Sequence, residues 1–184
     1  AVKIGVVGAG SWGTAIAELL ASKGFKVNLW VYEQHVKDQI EKNRENKVFL
    51  PGAILSSNIF PSLDLAEVVL KKDLLFLVVP SHIMRGMASR IGELLAKDTI
   101  IISAAKGIEN KTHLTMSGVI KDVIPELDNR SLAVLSGPSF AAEVVKKVPT
   151  LIAVASSDSE TALFVQHVLS TPYLRAYTSD DIVG

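Results

Sequence analysis

The sequence predicts an α/β fold with a doubly wound, mostly parallel sheet and helices on both faces. Three observations support it: strand-like apolar runs alternate with helical patterns throughout, a glycine-rich turn follows the first run, and 48% of the 184 residues are hydrophobic. Strict alternation of strands and helices is typical of parallel sheets with right-handed crossovers. The length suits one domain with a buried core.

The individual elements follow from hydrophobic periodicity and from the residues that interrupt it. Strands are predicted where apolar residues run together, at residues 2–7, 26–31, 74–79, 99–103, 131–136, 150–155 and 173–177. Helices are predicted where apolar residues recur at helical spacing, at residues 14–23, 33–43, 62–70, 81–96, 111–124, 139–146 and 158–169. Pro125 ends one helix, and we expect the Ser81 hydroxyl to cap another.

The turn after the first strand reads Gly8-Ala9-Gly10-Ser11-Trp12-Gly13. Gly8 permits a tight turn, Gly10 lets the backbone approach a pyrophosphate, and Gly13 lets the helix pack closely on the strand. The helix N-terminus adds free N–H groups and a partial positive charge. A strand, glycine turn and helix at the start of a βαβ pattern predict a Rossmann-like dinucleotide site. Trp12 is expected to pack beside the cofactor or to support the loop from behind.

The loops after the other strands are the remaining site candidates, because ligands of doubly wound sheets bind at the carboxyl ends of the strands. They are Tyr32-Glu33, Pro80-Ser81-His82, residues 104–107 and Gly137-Pro138-Ser139, and we expect them to converge on one crevice. Lys106 can offer a positive charge to a phosphate or carbonyl oxygen, but its position also suits an exposed loop lysine. The turn that holds Gly137 and Ser139 also suits a simple helix cap.

The end of the second strand bears on coenzyme choice. An acid there binds the adenosine ribose hydroxyls of NAD, whereas an arginine accepts the 2′-phosphate of NADP. Glu33 stands there, no arginine follows before Arg44, and Tyr32 can pack on adenine. The sequence therefore favours NAD over NADP, although Glu33 also suits the first turn of a helix.

Composition argues against several other classes. The 19 basic and 19 acidic residues cancel, which argues against a nucleic-acid binder or a polybasic membrane protein. The apolar run at residues 74–79 is far shorter than the roughly 20 residues that span a bilayer, and no signal peptide is expected before the first strand. The absence of cysteine excludes disulfides and thiolate metal ligands and permits a cytoplasmic location.

Histidine and acidic residues give no metal-ligand spacing, so no metal is expected. His82 is the one histidine in a strand-end loop, but no acid that would orient it is visible in the sequence. The Asp180-Asp181 pair is interpreted as a solvated turn.

Six segments, in order along nearly the whole chain, resemble NAD(P)-dependent glycerol-3-phosphate dehydrogenase. They are Gly8-Ala9-Gly10-Ser11-Trp12-Gly13-Thr14-Ala15, Asn46-Lys47-Val48-Phe49-Leu50-Pro51-Gly52, Val79-Pro80-Ser81, Lys106-Gly107-Ile108-Glu109, Ser136-Gly137-Pro138-Ser139-Phe140-Ala141-Ala142-Glu143 and Asp180-Asp181-Ile182-Val183-Gly184. The resemblance implies reduction of dihydroxyacetone phosphate to sn-glycerol 3-phosphate, with hydride from C4 of the nicotinamide of NAD or NADP. The product would feed phospholipid synthesis.

The resemblance also assigns roles to matching positions. The cofactor contacts are Gly8, Gly10, Ser11, Trp12, Gly13, Tyr32, Glu33, Pro80, Lys106 and Ala141. Lys106, Gly137 and Ser139 face the substrate. Lys106 is the catalytic candidate within this sequence, because an ammonium group stabilises the negative charge that develops on the substrate oxygen.

The same resemblance implies that residues 1–184 form the dinucleotide-binding domain. A helical second domain beyond Gly184 would carry the lysine general acid/base and the substrate-phosphate ligands, and the full protein would be a homodimer. Residues 1–184 alone are then expected to bind cofactor without turnover. Two alternatives remain: another two-domain Rossmann dehydrogenase, disfavoured by the motifs at residues 106–109 and 137–140, and a non-catalytic dinucleotide-binding redox sensor.

Overall fold

The computed structural model describes residues 2–183. Its strands are β1 (Ile4–Val7), β2 (Val27–Trp30), β3 (Ile59–Ser62), β4 (Leu74–Leu77), β5 (Ile100–Ser103), β6 (Leu132–Ser136), β7 (Thr150–Ala155) and β8 (Leu174–Ser179). Its α-helices are α1 (Ser11–Ser22), α2 (Gln34–Asn43), α3 (Leu65–Val69), α4 (Ser81–Gly92), α5 (Met116–Val123), α6 (Ala141–Val145) and α7 (Ser159–Leu169). A short 3-10 helix covers Asn129–Ser131.

The strands form one sheet in the order β3-β2-β1-β4-β5-β6-β7-β8. Every neighbouring pair from β3 to β6 is parallel, β6 and β7 are antiparallel, and β7 and β8 are parallel to each other. The predicted mostly parallel sheet is therefore confirmed. The reversal at β7 was not predicted.

Residues of the central strand β4 show why helices cover both faces. Leu74 and Phe76 belong to one buried cluster, and Leu75 and Leu77 belong to the other. Successive side chains of a strand point to opposite faces, so a strand that is apolar at every position needs a core on each side. Residues of α1 and α7 fill the first cluster, and residues of α4 and α5 fill the second.

Strand β3 was missed, and the helix predicted at residues 62–70 starts too early. Pro61 lies within β3, and proline is tolerated there because β3 is the edge strand and pairs only with β2. The helix that follows begins at Leu65, since the Asp64 side chain accepts a hydrogen bond from the Ala66 N–H at 2.9 Å.

Other helix boundaries were also wrong, including the start of α1 at Ser11 rather than residue 14. Residues 111–115 are not helical, because the Thr115 side chain caps α5 and a β-bridge joins Ile108 to Thr115. The helix predicted from residue 81 ends at Gly92 rather than residue 96, and α6 begins at Ala141 rather than residue 139. Pro80, not Ser81, occupies the N-cap of α4 and makes no side-chain cap bond, so the predicted cap is wrong.

Ala1 and Gly184 lie outside the described residues, as do the two ends of the predicted domain and the last residue of the Asp180-Asp181-Ile182-Val183-Gly184 segment. None of the helices within residues 2–183 combines the length and apolarity needed to cross a membrane.

Candidate functional site

A cleft of about 360 Å³ opens at the carboxyl ends of β1, β2 and β4. The strand order reverses between β1 and β4, which is the switch point where doubly wound sheets bind ligands. Five predicted cofactor contacts line this cleft, namely Gly8, Gly10, Tyr32, Glu33 and Pro80. A larger depression of about 780 Å³ lies at the opposite edge and includes none of the predicted site residues.

The three glycines of the turn have three different geometries. Gly8 has φ +114°, and a Cβ there would lie 2.4 Å from the Val78 carbonyl oxygen. A Cβ on Gly13 would lie 1.9 Å from the Gly8 carbonyl oxygen, so only glycine lets α1 pack this close to the turn. A Cβ on Gly10 would meet nothing within 4 Å. The space beside Gly10 is therefore open to a ligand that approaches the backbone.

The N-terminus of α1 supplies donors beside that space. Gly10 is the N-cap and offers no side-chain cap, and the first turn contains no acidic residue. The first bonded N–H is that of Thr14, which donates to the Gly10 carbonyl at 3.0 Å. Within residues 2–183, the N–H groups of Ser11, Trp12 and Gly13 have no partner. Free donors and the helix dipole favour an anion here, so the residues fit a dinucleotide pyrophosphate.

Ser11 is exposed, whereas Trp12 is half-buried and packs against the core cluster that contains Ile16. The indole therefore contacts the core, and both expected roles of Trp12, beside the cofactor or behind the loop, stay predictions.

Asn46 holds the glycine turn in place and was not singled out by the site prediction. It is completely buried. Its Nδ2 donates to the Ala9 carbonyl and to Thr14 Oγ1, both at 2.9 Å, and its Oδ1 accepts from the Phe49 N–H at 3.2 Å. Asn46 thus joins the loop after α2 to the turn and positions Phe49, which lines the cleft. The signal was present in the Asn46-Lys47-Val48-Phe49-Leu50-Pro51-Gly52 segment.

The end of the cleft beside β2 contains an aromatic pair and an arginine. The rings of Trp30 and Tyr32 meet edge to face, with centroids 6.1 Å apart. The Arg90 Cζ lies 5.8 Å from the centre of the Trp30 ring, and Arg90 lines the cleft together with Glu33. Arg90 comes from α4, far along the chain, so the residues that follow β2 give no sign of it.

Arg44, the arginine nearest to β2 in sequence, has a different role. Its guanidinium donates to the backbone carbonyls of Leu55, Ser56 and Ile59. It therefore holds the loop before β3 and is engaged in structural bonds.

Lys106 is exposed and does not line the 360 Å³ cleft. The next residue, Gly107, has φ +119°, and a Cβ there would lie 3.1 Å from both Cβ and Oγ of Ser81. The Lys106-Gly107 turn therefore lies against the first turn of α4, beside Pro80. Within residues 2–183, no hydrogen bond or ion pair holds the Lys106 ammonium group. It is free to meet a ligand.

An ion pair anchors the loop that follows Lys106. Arg85 on α4 donates from Nε and Nη2 to the two carboxylate oxygens of Glu109, each at 2.9 Å, and from Nη1 to Asp122 at 2.7 Å. The Arg85 bonds, and then a bond from the Thr112 hydroxyl, lower the pKa of Glu109 to about 2. His82, Arg85 and Glu109 line a separate cavity of about 520 Å³.

The remaining predicted residues lie on the β6 side. Gly137 has φ +143°, and a Cβ there would lie 3.0 Å from the Leu151 carbonyl oxygen. The backbone of this turn therefore packs closely against β7. The Ser139 N–H donates to the Gly137 carbonyl at 2.9 Å. Ala141 begins α6, which packs on α1. None of these three lines the cleft, so the structure brings together only part of the predicted set.

The sheet order, the cleft at its switch point and the three glycine geometries define a Rossmann-type dinucleotide-binding domain. The model for the N-terminus of NAD-dependent glycerol-3-phosphate dehydrogenase matches residues 3–162. The chain belongs to that family, whose members use NAD or NADP.

Two relatives and one solved structure illustrate the match. The chain is 49% identical over 181 residues to glycerol-3-phosphate dehydrogenase [NAD(P)+] of Syntrophobacter fumaroxidans, covering 98% of this chain and 53% of that protein. It is 47% identical over 183 residues to the protein of the same name from Syntrophotalea carbinolica, covering 100% and 55%.

The crystal structure of glycerol-3-phosphate dehydrogenase from Coxiella burnetii superposes with a TM-score of 0.90 at 31% identity, covering 97% of this chain and 54% of that chain. The chain therefore spans about half the length of the relatives it matches.

Proposed function

We propose that this chain is the cofactor-binding half of an enzyme that reduces dihydroxyacetone phosphate to sn-glycerol 3-phosphate with NADH or NADPH. The observation that carries the proposal is the open backbone at Gly10 beside the unpaired N–H groups of α1, at the switch point of a chain from this family. The alternatives, a different two-domain dehydrogenase and a non-catalytic redox sensor, have no observation of their own in their favour.

Different residues of the cleft would bind the pyrophosphate, the ribose and the adenine of the cofactor. Gly10 and the α1 N-terminus would hold the pyrophosphate, Glu33 would accept from the adenosine ribose hydroxyls, and Tyr32, which is 77% exposed, offers a ring face to adenine. Pro80 borders the cleft on the β4 side. When bound, the cofactor supplies a hydride from C4 of its nicotinamide.

Lys106 would act on the substrate. Its unpaired ammonium group can stabilise the negative charge that builds on the substrate oxygen during reduction. Gly137 and Ser139 are the other proposed substrate contacts, and Ala141 is a proposed cofactor contact. These assignments are supported by the family motifs in which the residues stand.

The proposal extends to the whole protein. Residues 1–184 would form the dinucleotide-binding domain, and a helical domain would contribute the general acid/base and the ligands of the substrate phosphate. The complete enzyme would be a cytoplasmic homodimer, a location that a cysteine-free sequence permits.

A matched pair of glycine variants tests the cofactor site. A Cβ on Gly10, or on Gly86 in α4, would meet no atom within 4 Å, and neither glycine has a positive φ. We expect Gly10→Val to fold but to lose NADH and NADPH binding, measured by quenching of tryptophan fluorescence. Gly86→Val should bind as wild type does. Equal binding by both variants would refute the assignment of the pyrophosphate to Gly10.

A further inference from the structure

Arg90 stands at the end of the cleft that would hold the adenosine of the cofactor. Ile83, Met87 and Arg90 recur at helical spacing and line the cleft from α4. Tyr32 and Glu33, the two residues expected to meet adenine and its ribose, line the same cleft, and the Trp30 ring contacts both Arg90 and Tyr32. A cationic group at this place therefore borders the ribose rather than the nicotinamide.

The guanidinium group is held in position but not neutralised. Its Cζ lies 5.8 Å from the centre of the Trp30 ring, within the range of a cation–π contact. Trp30 is itself fixed, because it is 7% exposed and its Nε1 donates to the Leu63 carbonyl at 3.1 Å. Within residues 2–183, no hydrogen bond or ion pair engages the Arg90 side chain. Its donors remain available.

The cleft therefore presents one acid and one arginine where coenzymes are distinguished. Glu33 is the one carboxylate among the described residues that line it. A carboxylate accepts hydrogen bonds from the 2′-hydroxyl of NAD and repels the 2′-phosphate of NADP. A guanidinium group does the reverse, since its planar fork donates two charge-assisted bonds to a phosphate.

We propose that Arg90 is a specificity-determining residue that binds the adenosine 2′-phosphate of NADP, so that one cleft accepts both coenzymes. Glu33 serves the hydroxyl form and Arg90 the phosphorylated form. This inference rests on the proposed dinucleotide site and goes beyond it, because it names the group that discriminates and places it on α4 rather than after β2.

Calorimetric titration of the purified protein with two probes that lack the nicotinamide tests it. The probes are ADP-ribose and 2′-phospho-ADP-ribose, which differ only in the 2′-phosphate. In Arg90→Met, we expect the Kd of 2′-phospho-ADP-ribose to rise by at least about tenfold, the loss of a charge-assisted bond. The Kd of ADP-ribose should be unchanged. Arg175→Met, which removes one exposed positive charge on β8, is the matched control and should leave both values unchanged.

Other outcomes have separate meanings. Equal weakening of both probes in Arg90→Met would overturn the proposal, because Arg90 would then serve adenine or Trp30. No change for either probe would also overturn it and would leave the dinucleotide site intact. A wild-type protein that binds neither probe would refute the proposed function itself. If Arg90→Met fails to fold, Arg90→Ala and Arg90→Lys allow the same comparison, with the 2′-phosphate preference lost in the first and partly kept in the second.

Discussion

Arg85 and Glu109 are joined by two parallel hydrogen bonds of 2.9 Å each, Nε to Oε1 and Nη2 to Oε2. The pair connects α4, which borders the cofactor cleft, to the loop that begins at Lys106. Arrangements of this kind constrain the angle as well as the distance between two elements. The position of the proposed catalytic lysine therefore depends on a contact three residues further along its loop.

The Glu109 carboxylate predicts a dependence of stability on pH. Because Arg85 and Thr112 lower its folded pKa to about 2 from a usual 4.5, the unfolded chain binds the proton more readily. The contribution is present above the unfolded pKa and is lost as the pH falls from about 5 towards 2. We expect the free energy of unfolding of Glu109→Gln to fall less than that of wild type between about pH 6 and pH 3, measured by urea denaturation.

Two other carboxylates also make the stability depend on pH. Arg130 lowers the pKa of Asp128 to about 2, so the stabilising contribution of Asp128 is also lost as the pH falls. Burial raises the pKa of Glu18, so protonation of Glu18 as the pH falls favours the folded state. Both are present in wild type and in Glu109→Gln and cancel in the difference. Identical pH profiles for the two proteins would show that the Glu109 pair does not contribute.

Asn46→Ala should destabilise the fold and weaken cofactor binding together. The change removes three hydrogen bonds: the two that Nδ2 donates to the buried Ala9 carbonyl and Thr14 Oγ1, and the one that Oδ1 accepts from the Phe49 N–H. At about 1 kcal/mol for each hydrogen bond, we expect a loss of about 2–3 kcal/mol in the free energy of unfolding. The control is Asn110→Ala at an exposed position, which should change little. Normal NADH binding by Asn46→Ala would contradict a role in positioning the turn.

Gly13→Ala and Gly10→Ala should differ sharply in stability although they lie in the same turn. At Gly13 the new Cβ would lie 1.9 Å from a backbone oxygen, whereas at Gly10 it would meet nothing within 4 Å. Because backbone must move to relieve the first clash, we expect a loss of about 3 kcal/mol or more for Gly13→Ala. Thermal unfolding followed by circular dichroism compares the two; equal melting temperatures would contradict the close packing of α1.

Residues 1–184 by themselves should bind NADH without reducing dihydroxyacetone phosphate. Cofactor binding needs the described cleft, whereas the proposed general acid/base and phosphate ligands belong to the proposed helical domain. Binding is measured by fluorescence titration and turnover by NADH absorbance with dihydroxyacetone phosphate present. Near-normal turnover would refute the assignment of catalysis to two domains.

Local patterns in the sequence were sufficient to predict the fold class and the glycine turn. In β4, Leu74 and Phe76 are buried on one face of the sheet, and Leu75 and Leu77 are buried on the other. This alternation is a property of consecutive residues. Likewise, the positive φ of Gly8 and the close approach at Gly13 arise within a single turn. Features of this kind depend on residues close together in the chain, so a local pattern can predict them.

Tertiary structure decided the features that depend on residues far apart in the chain. Strand β3 forms despite Pro61 because it is at the sheet edge, Asn46 reaches the turn from a loop 37 residues away, and Arg90 enters the cleft from α4. Hydrogen bonds and charge contacts of this kind need two surfaces to meet, and no local periodicity records where they do. The sequence by itself thus determined a dinucleotide-binding scaffold, and only packing decided which side chains surround its cleft.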